Sequence, residues 1–214
     1  MTARVVPDDE AGRAEAVLIL CRGGIVAMPT DTVYGVGVAL DAEDGLGRLF
    51  AAKDRPLDKA IVLLVGTPAQ AEEVGIMTPA ARSLAERFWP GGLTLVLAQQ
   101  PSSALPAALT AGTTTIGLRM PDHDCPRALA REFGPLPVTS ANLSGQPAAN
   151  DAAGVLAQLG ERIDLVVDGG AARGGVASTV VDCSGERPIV LRAGAIEPAR
   201  ISEALVAAGL PPLG

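Results

Sequence analysis

Short apolar runs, each cut off by a proline or by a turn rich in hydroxyls and glycine, alternate along this chain with stretches of helical periodicity. That alternation leaves few folds open. Ile25-Val26-Ala27-Met28 is stopped by Pro29, which cannot donate to a sheet ladder. Leu136-Pro137-Val138-Thr139 opens in the same way onto Ser140-Ala141-Asn142. Further runs at 61–65, 93–97, 115–118, 165–167, 178–182 and 189–191 read as strands. Ala14, Val17, Leu18 and Cys21 recur at helical spacing before Gly23-Gly24, which predicts a first helix over 8–22. Asp41 is expected to cap a second, carrying Leu46, Leu49 and Phe50 and ending before Lys53-Asp54-Arg55-Pro56. Others are expected at 68–74, 79–88, 125–133, 152–159 and 198–208. The fold class is therefore α/β. Several strands follow one another with no helix between them, so the sheet should mix parallel and antiparallel pairs. With no linker, repeat or low-complexity tract, residues 1–214 are expected to form one domain.

Composition narrows the function. Only five of 214 residues are aromatic (one Trp, one Tyr, three Phe), so the core must be aliphatic. A net charge of −7 argues against a generally basic nucleic-acid surface, which needs many Lys or Arg phosphate contacts. Cys21, Cys125 and Cys183 are odd in number and widely spaced, the pattern of reduced, buried thiols in a cytosolic protein. The N-terminus lacks an apolar signal core, and no segment is long and apolar enough to span a bilayer. A soluble, cytoplasmic protein with no membrane partner is expected.

The residues with chemistry to offer sit after strands, where scaffolds place function. Pro29-Thr30-Asp31-Thr32-Val33-Tyr34-Gly35-Val36-Gly37 gathers hydroxyls, one carboxylate and two glycines behind the first apolar run. Lys53 and Arg55, two residues apart, would share one face of an extended segment and suit a polyphosphate. Ser140 and Asn142 bring a hydroxyl and an amide to a strand's C-terminal end, where open α/β sheets bind ligands. Glycine-rich residues 169–175 run on to Ser178-Thr179 and could cradle phosphate oxygens, without forming a Walker A or dinucleotide fingerprint. Arg119 and Arg192 also close strands, and Arg119 could grip a carboxylate as a fork. A serine hydrolase would need His123, the only histidine, as its base, and no G-x-S-x-G elbow is present. Asp122-His123-Asp124-Cys125 is too tightly spaced for structural zinc and reads as a turn and helix cap. Trp89-Pro90-Gly91-Gly92 reads as a packing and turn element.

Taken in order, the 29–37 segment, Lys53-x-Arg55-Pro56, Trp89-Pro90-Gly91, Gly117-Leu118-Arg119-x-Pro121, Thr139-Ser140-Ala141-Asn142, Ser178-Thr179-Val180-Val181-Asp182 and Arg192-x-Gly194 resemble the YrdC-like family. The resemblance covers about residues 13–196. It implies a layered fold with a twisted, mixed sheet flanked by helices around an open groove. It also implies synthesis of L-threonylcarbamoyl-AMP and pyrophosphate from L-threonine, bicarbonate and ATP, for the t6A modification of tRNA. By that resemblance Lys53, Arg55, Ser140 and Asn142 surround the nucleotide as the catalytic set. Ser178 and Arg192 lie against the ATP or adenylate, while Thr32, Arg119 and Ser178 serve the threonine subsite. Mg²⁺ would arrive on the triphosphate, with no metal site of the protein's own. The chain resembles the short form of the family, which works with separate threonylcarbamoyl-transfer proteins. It departs at Ala60, where many relatives carry proline, and near the end of the following strand, at Leu64 or Val65, where longer relatives carry a histidine. The alternatives are an RNA-binding module that uses the same groove without turnover, and a paralogue with different carbamoyl chemistry.

Overall fold

The computed structural model describes residues 2–214. A ten-stranded sheet runs through it, built from β1 (Arg4–Pro7), β2 (Val26–Met28), β3 (Gly35–Gly37), β4 (Val62–Leu64), β5 (Leu93–Ala98), β6 (Thr115–Arg119), β7 (Leu136–Ser140), β8 (Leu165–Asp168), β9 (Thr179–Asp182) and β10 (Ile189–Arg192). Their spatial order is β1-β8-β2-β3-β7-β4-β6-β5-β9-β10. The sheet is mixed, as the strand spacing predicts. β1 and β2 flank β8 in parallel, β4 runs parallel to β6 and β5 to β9, and the remaining pairs are antiparallel. β2 and β3 must be antiparallel, because the 29–34 connection is too short for a parallel crossover.

Helices α1 (Glu10–Cys21), α2 (Gly45–Ala52), α3 (Pro68–Val74), α4 (Pro79–Phe88), α5 (Ala107–Thr110), α6 (Asp124–Phe133), α7 (Ala152–Leu159) and α8 (Pro198–Ala207) cover the faces.

 Their starts follow from short polar caps. The Asp9, Thr67, Thr78 and Asp151 side chains each accept a backbone N–H in the first turn of the helix that follows, and Pro68 and Pro79 fill the first helical position. His123 caps α6 by accepting from the Cys125 amide at 3.4 Å, the cap expected of the Asp122–Asp124 turn. α2 corrects the sequence reading. It begins after Asp44 rather than Asp41, because residues 39–45 first form two tight turns (Ala42 N–H to Ala39 O, Gly45 N–H to Ala42 O).

Alternation along the strands divides the core between the two faces of the sheet. Val26, Met28, Leu64, Leu165 and Val167 pack with α1 and α6 through Ala16, Leu20, Leu129 and Ala130. Ala27, Leu63 and Val166 point the other way, toward α2, α3, α4, α7 and α8 through residues such as Phe50, Leu84, Val155 and Ile201. The core is aliphatic, as the composition requires. Cys125 and Cys183 are buried thiols, but Cys21 is exposed, because it ends α1 on the side turned away from the sheet.

Three elements carry no clear sequence signal. β1 is a mostly exposed edge strand and α5 is a single turn. β3 is two-thirds glycine for a steric reason: a Cβ at Gly35 would lie 2.6 Å from Val138 Cγ1, and one at Gly37 would lie 2.4 Å from the Pro137 carbonyl oxygen. That close approach lays β3 against β7 and pairs Gly35 with Ser140.

Candidate active site

The 29–37 segment turns on its own hydroxyls. Thr30 Oγ1 donates to the Val33 carbonyl at 2.6 Å and accepts the Thr32 amide at 3.1 Å. With its one proton spent on Val33, Thr30 must accept from Thr32 Oγ1, 3.0 Å away. Thr32 Oγ1 then accepts from Arg119 Nη1 at 2.8 Å. Thr32 is 2 % exposed and its hydroxyl hydrogen is already committed, so it fixes the loop and Arg119 together.

Arg119 closes β6 and is buried. Nε donates to the Gly91 carbonyl at 3.0 Å, and Nη2 meets Asp31 Oδ1 at 2.5 Å. Burial pulls the guanidinium below its usual range, Asp31 pulls it back up, and the nearby Arg192 charge adds to the lowering. Of its five N–H groups three are used, which leaves one on each terminal nitrogen for a ligand. The Trp89–Gly92 turn serves this site by aiming the Gly91 carbonyl. Trp89 itself is buried and donates Nε1–H to the Leu93 carbonyl at 2.7 Å, a packing role as expected.

Beside this group, Arg192 donates from Nη2 to the Ser178 carbonyl and hydroxyl, at 2.7 and 3.2 Å. Ser178 Oγ lies 2.8 Å from Thr94 Oγ1. Gly92 joins the two groups: its carbonyl accepts the Thr179 amide at 3.0 Å, and a Cβ there would lie 3.5 Å from Thr32 Cγ2.

The third group is built on Lys53. The residue is 1 % exposed, and its ammonium donates to two main-chain carbonyls, those of Ser140 and Asn142. The Lys53 carbonyl in turn accepts the Ser144 amide at 2.8 Å, so the end of α2 and the 140–144 turn are sewn together. Burial and the Arg55 charge push the Lys53 ammonium down to about 8. Asn142 donates both amide hydrogens to its own turn, to the Leu143 and Gln146 carbonyls at 2.8 Å each. Its Oδ1 is buried with no partner, an acceptor held open at a cost of about 1–3 kcal/mol until a donor arrives.

The segment holding Lys53 and Arg55 is not extended. Lys53 ends α2 in a helical conformation (φ −99°, ψ −3°) and Asp54 is left-handed (φ 49°). Lys53 therefore turns inward, while half-buried Arg55 bends back on its own loop and donates to the Lys59 and Ala60 carbonyls at 3.4 and 2.7 Å. Burial lowers its guanidinium too.

Thr32 lies three residues before Gly35, which pairs with Ser140, so about 11 Å of chain at most separates the Arg119 group from the strand beside the Lys53 group. All eight residues singled out from the sequence fall in these three groups. Asp31 and Tyr34 lie within the quoted motif but were not singled out. Asp31 was legible in principle as an acid between two threonines with a cation to find. Tyr34 ties the glycine-rich loop to the segment: its hydroxyl accepts the Gly169 amide at 3.1 Å and donates to the Gly170 carbonyl at 2.7 Å. Burial pushes its phenol up to about 12.

That loop packs directly on the Arg119 group, where a Cβ at Gly174 would lie 2.7 Å from the Asp31 carbonyl oxygen. Gly174→Val is therefore expected to displace segment 31–32 and weaken ligand binding at Arg119 at least tenfold, with little loss of fold because the loop is exposed. Calorimetric titration beside a melting curve checks it, and undiminished binding would separate the loop from the site.

Comparison with known proteins places this geometry in context. The Sua5/YciO/YrdC family model, described as "Telomere recombination", matches residues 18–194. The threonylcarbamoyl-AMP synthase of Bacillus subtilis is 42 % identical over 185 residues, which cover 86 % of this chain and 53 % of that protein. The chain thus spans about half the length of that relative. A putative threonylcarbamoyl-AMP synthase of Mycobacterium leprae is 43 % identical over 201 residues, 93 % of this chain and 90 % of that one. The crystal structure of Sua5 from P. abyssi complexed with L-threonine superposes with a TM-score of 0.87 at 35 % identity, over 95 % of this chain and 60 % of that one.

Proposed function

We infer, from the premise that the chain belongs to the Sua5/YciO/YrdC family, that it is a threonylcarbamoyl-AMP synthase, making L-threonylcarbamoyl-AMP and pyrophosphate from L-threonine, bicarbonate and ATP for the t6A modification of tRNA. The observation that carries this reading is Arg119: a buried guanidinium with two N–H groups to spare, held by Thr32 and Asp31 beside Ser178 and Arg192. That is a carboxylate site next to hydroxyl and cationic groups suited to an adenylate.

Threonine's amine and bicarbonate give a carbamate and water. A carbamate oxygen then attacks the α-phosphorus and expels pyrophosphate. Negative charge gathers on phosphoryl oxygens, so fixed cations and donors are the main catalytic means. Lys53 keeps one N–H after serving two carbonyls, and Arg55 keeps Nη1 free of its loop. Ser140 offers a hydroxyl, and Asn142 Oδ1 an acceptor for a nucleotide hydroxyl or amine. Arg192 and Ser178 complete the nucleotide side, and Arg119 with Thr32 and Ser178 the threonine side. No group of three or more His, Cys, Asp or Glu converges among the described residues. Mg²⁺ would arrive with the substrate, carried by the triphosphate oxygens.

We take residues 1–214 as one catalytic domain, because a single continuous sheet uses strands from Arg4 to Arg192. Separate transfer proteins would receive the product. No helix among the described residues is long and apolar enough to cross a membrane, which agrees with a cytoplasmic setting.

Pyrophosphate release with threonine and bicarbonate each present or omitted tests the proposal. Release that needs both is the expected result. Release with neither would mark a nucleotide hydrolase, and none at all from a folded, ATP-binding protein would mark a paralogue. Arg55→Ala should lower turnover at limiting ATP about tenfold while moving stability by no more than about 0.5 kcal/mol. Unchanged ATP dependence would confine Arg55 to holding its own loop.

A further inference from the structure

We propose that Asp31 is the specificity-determining group of the amino-acid subsite, receiving the substrate's α-ammonium while Arg119 receives its α-carboxylate. The inference rests on the synthase reading and names a partner for the one charged group of threonine that the reading leaves without one.

Asp31 and Arg119 form a close pair, 2.5 Å apart, with side chains only 13 % and 8 % exposed. Asp31 spends Oδ1 on Arg119 Nη2, and Oδ2 makes no hydrogen bond within the protein. Arg119 keeps one N–H on each terminal nitrogen. The pair therefore presents an anionic acceptor and a cationic donor side by side, both preorganised and both unsaturated. An α-amino acid presents the complementary pattern, a carboxylate and an ammonium on neighbouring atoms of one carbon. A zwitterion laid head to tail against the pair satisfies both charges and adds no net charge to a buried place, so the desolvation of each ion is offset by its new partner.

The arrangement also rejects competitors. A simple carboxylate gains Arg119 but brings its charge beside Asp31 with nothing to offset it. A plain amine gains Asp31 and faces Arg119. Both are penalised by an unpaired or like charge. Were Arg119 without Asp31, it would be a bare cation open to any small anion, bicarbonate and phosphate included. The glycine-rich loop fits this role. With no Cβ at Gly174 it lies directly on the Asp31 main chain, so the carboxylate is held from behind as well as by Arg119.

Calorimetric titration of two ligands into the parent protein and into Asp31→Asn tests this. The ligands are L-threonine and 2,3-dihydroxybutanoate, in which a hydroxyl replaces the ammonium. Asparagine keeps an oxygen for Arg119 Nη2 but removes the charge. Threonine binding is expected to weaken about 100-fold in Asp31→Asn, while the dihydroxy acid, relieved of the like charge, binds at least as tightly as it does to the parent. Equal weakening of both ligands would mean that Asp31 acts only by holding Arg119, and would overturn the proposal. No weakening of either would overturn it as well. A parent protein that binds no threonine would instead remove the synthase reading, and this inference with it. Should Asp31→Asn fail to fold, Asp31→Glu carries the test. The longer arm keeps the charge but moves it, so the ratio of threonine to analogue affinity should shift about tenfold, and an unchanged ratio would refute the assignment.

Discussion

Arg119→Ala is expected to weaken threonine-dependent pyrophosphate release at least 100-fold and to lower stability by about 3 kcal/mol. The two losses have different origins. The first follows from removing the one buried guanidinium among the described residues, which keeps an N–H free on each terminal nitrogen for a carboxylate. The second follows because Asp31 would be left in a mostly buried place with its one partner gone. Adding Asp31→Asn to the alanine variant should restore most of the melting temperature, since it removes the stranded charge, and none of the threonine response. A double variant that recovered turnover would show that Arg119 serves only to neutralise Asp31. Lysine at 119 should also fail, because an ammonium cannot serve the Gly91 carbonyl, Thr32 and Asp31 in one plane and still offer a fork.

Lys53→Met should reduce turnover by at least about 100-fold and should also reveal a pH dependence that runs in opposite directions for activity and stability. The Lys53 ammonium is lowered to about 8 by burial and by Arg55, against an ordinary value near 10.4 in an unfolded chain. Below about pH 8 the folded protein carries a charged, desolvated lysine, and the cost of that burial is fully present. As pH rises from about 8 toward 10.4 the unfolded chain binds more protons than the folded one, so stability gains, by up to about 3 kcal/mol. Activity moves the other way, because the cation is lost. The pH profile of kcat/KM for ATP should fall with a midpoint near 8, while kcat should fall at higher pH once the triphosphate holds the proton on. Melting curves at pH 8 and 10 should converge between the parent and Lys53→Met. Parallel curves, with no shared change in the rate profile, would place the lysine's titration elsewhere.

Much of the frame was legible before any coordinates. Helices α3, α4 and α7 begin and end where the sequence reading put them, because each opens with Thr-Pro or Asp and carries a clear apolar period. β2 and β7 were found for a related reason, being continuous apolar runs cut off by polar turns. What stayed hidden was set by distant neighbours. β3 is a strand because β7 lies close enough to forbid side chains at Gly35 and Gly37, and its own residues favour strand poorly. The Asp44 start of α2 was decided by two preceding turns that compete with Asp41 for the cap. In the site, residue types and order were readable, but conformation was not. The two-residue spacing of Lys53 and Arg55 suggested a shared face, whereas left-handed Asp54 turns one inward and the other back on its loop. The Asp31–Arg119 pair spans 88 positions and has no local signature.

Lys53 is held by carbonyl oxygens and Arg119 by a carboxylate, and this difference makes the two ends of the site respond differently to ionic strength. Carbonyl partners orient an ammonium without cancelling it, so Lys53 keeps its full monopole inside a protein whose net charge is −7. Arg119 with Asp31 is close to neutral at any distance beyond a few ångströms. A polyanion approaching the Lys53 end is drawn by a field that dissolved salt weakens, with a reach of about 8 Å under physiological conditions. A neutral zwitterion at the other end senses only contact-range forces that salt hardly alters. Raising salt should therefore slow nucleotide capture while leaving amino-acid affinity nearly constant. In that sense one small site houses a long-range attractor and a short-range filter, each tuned by what stands opposite its cation.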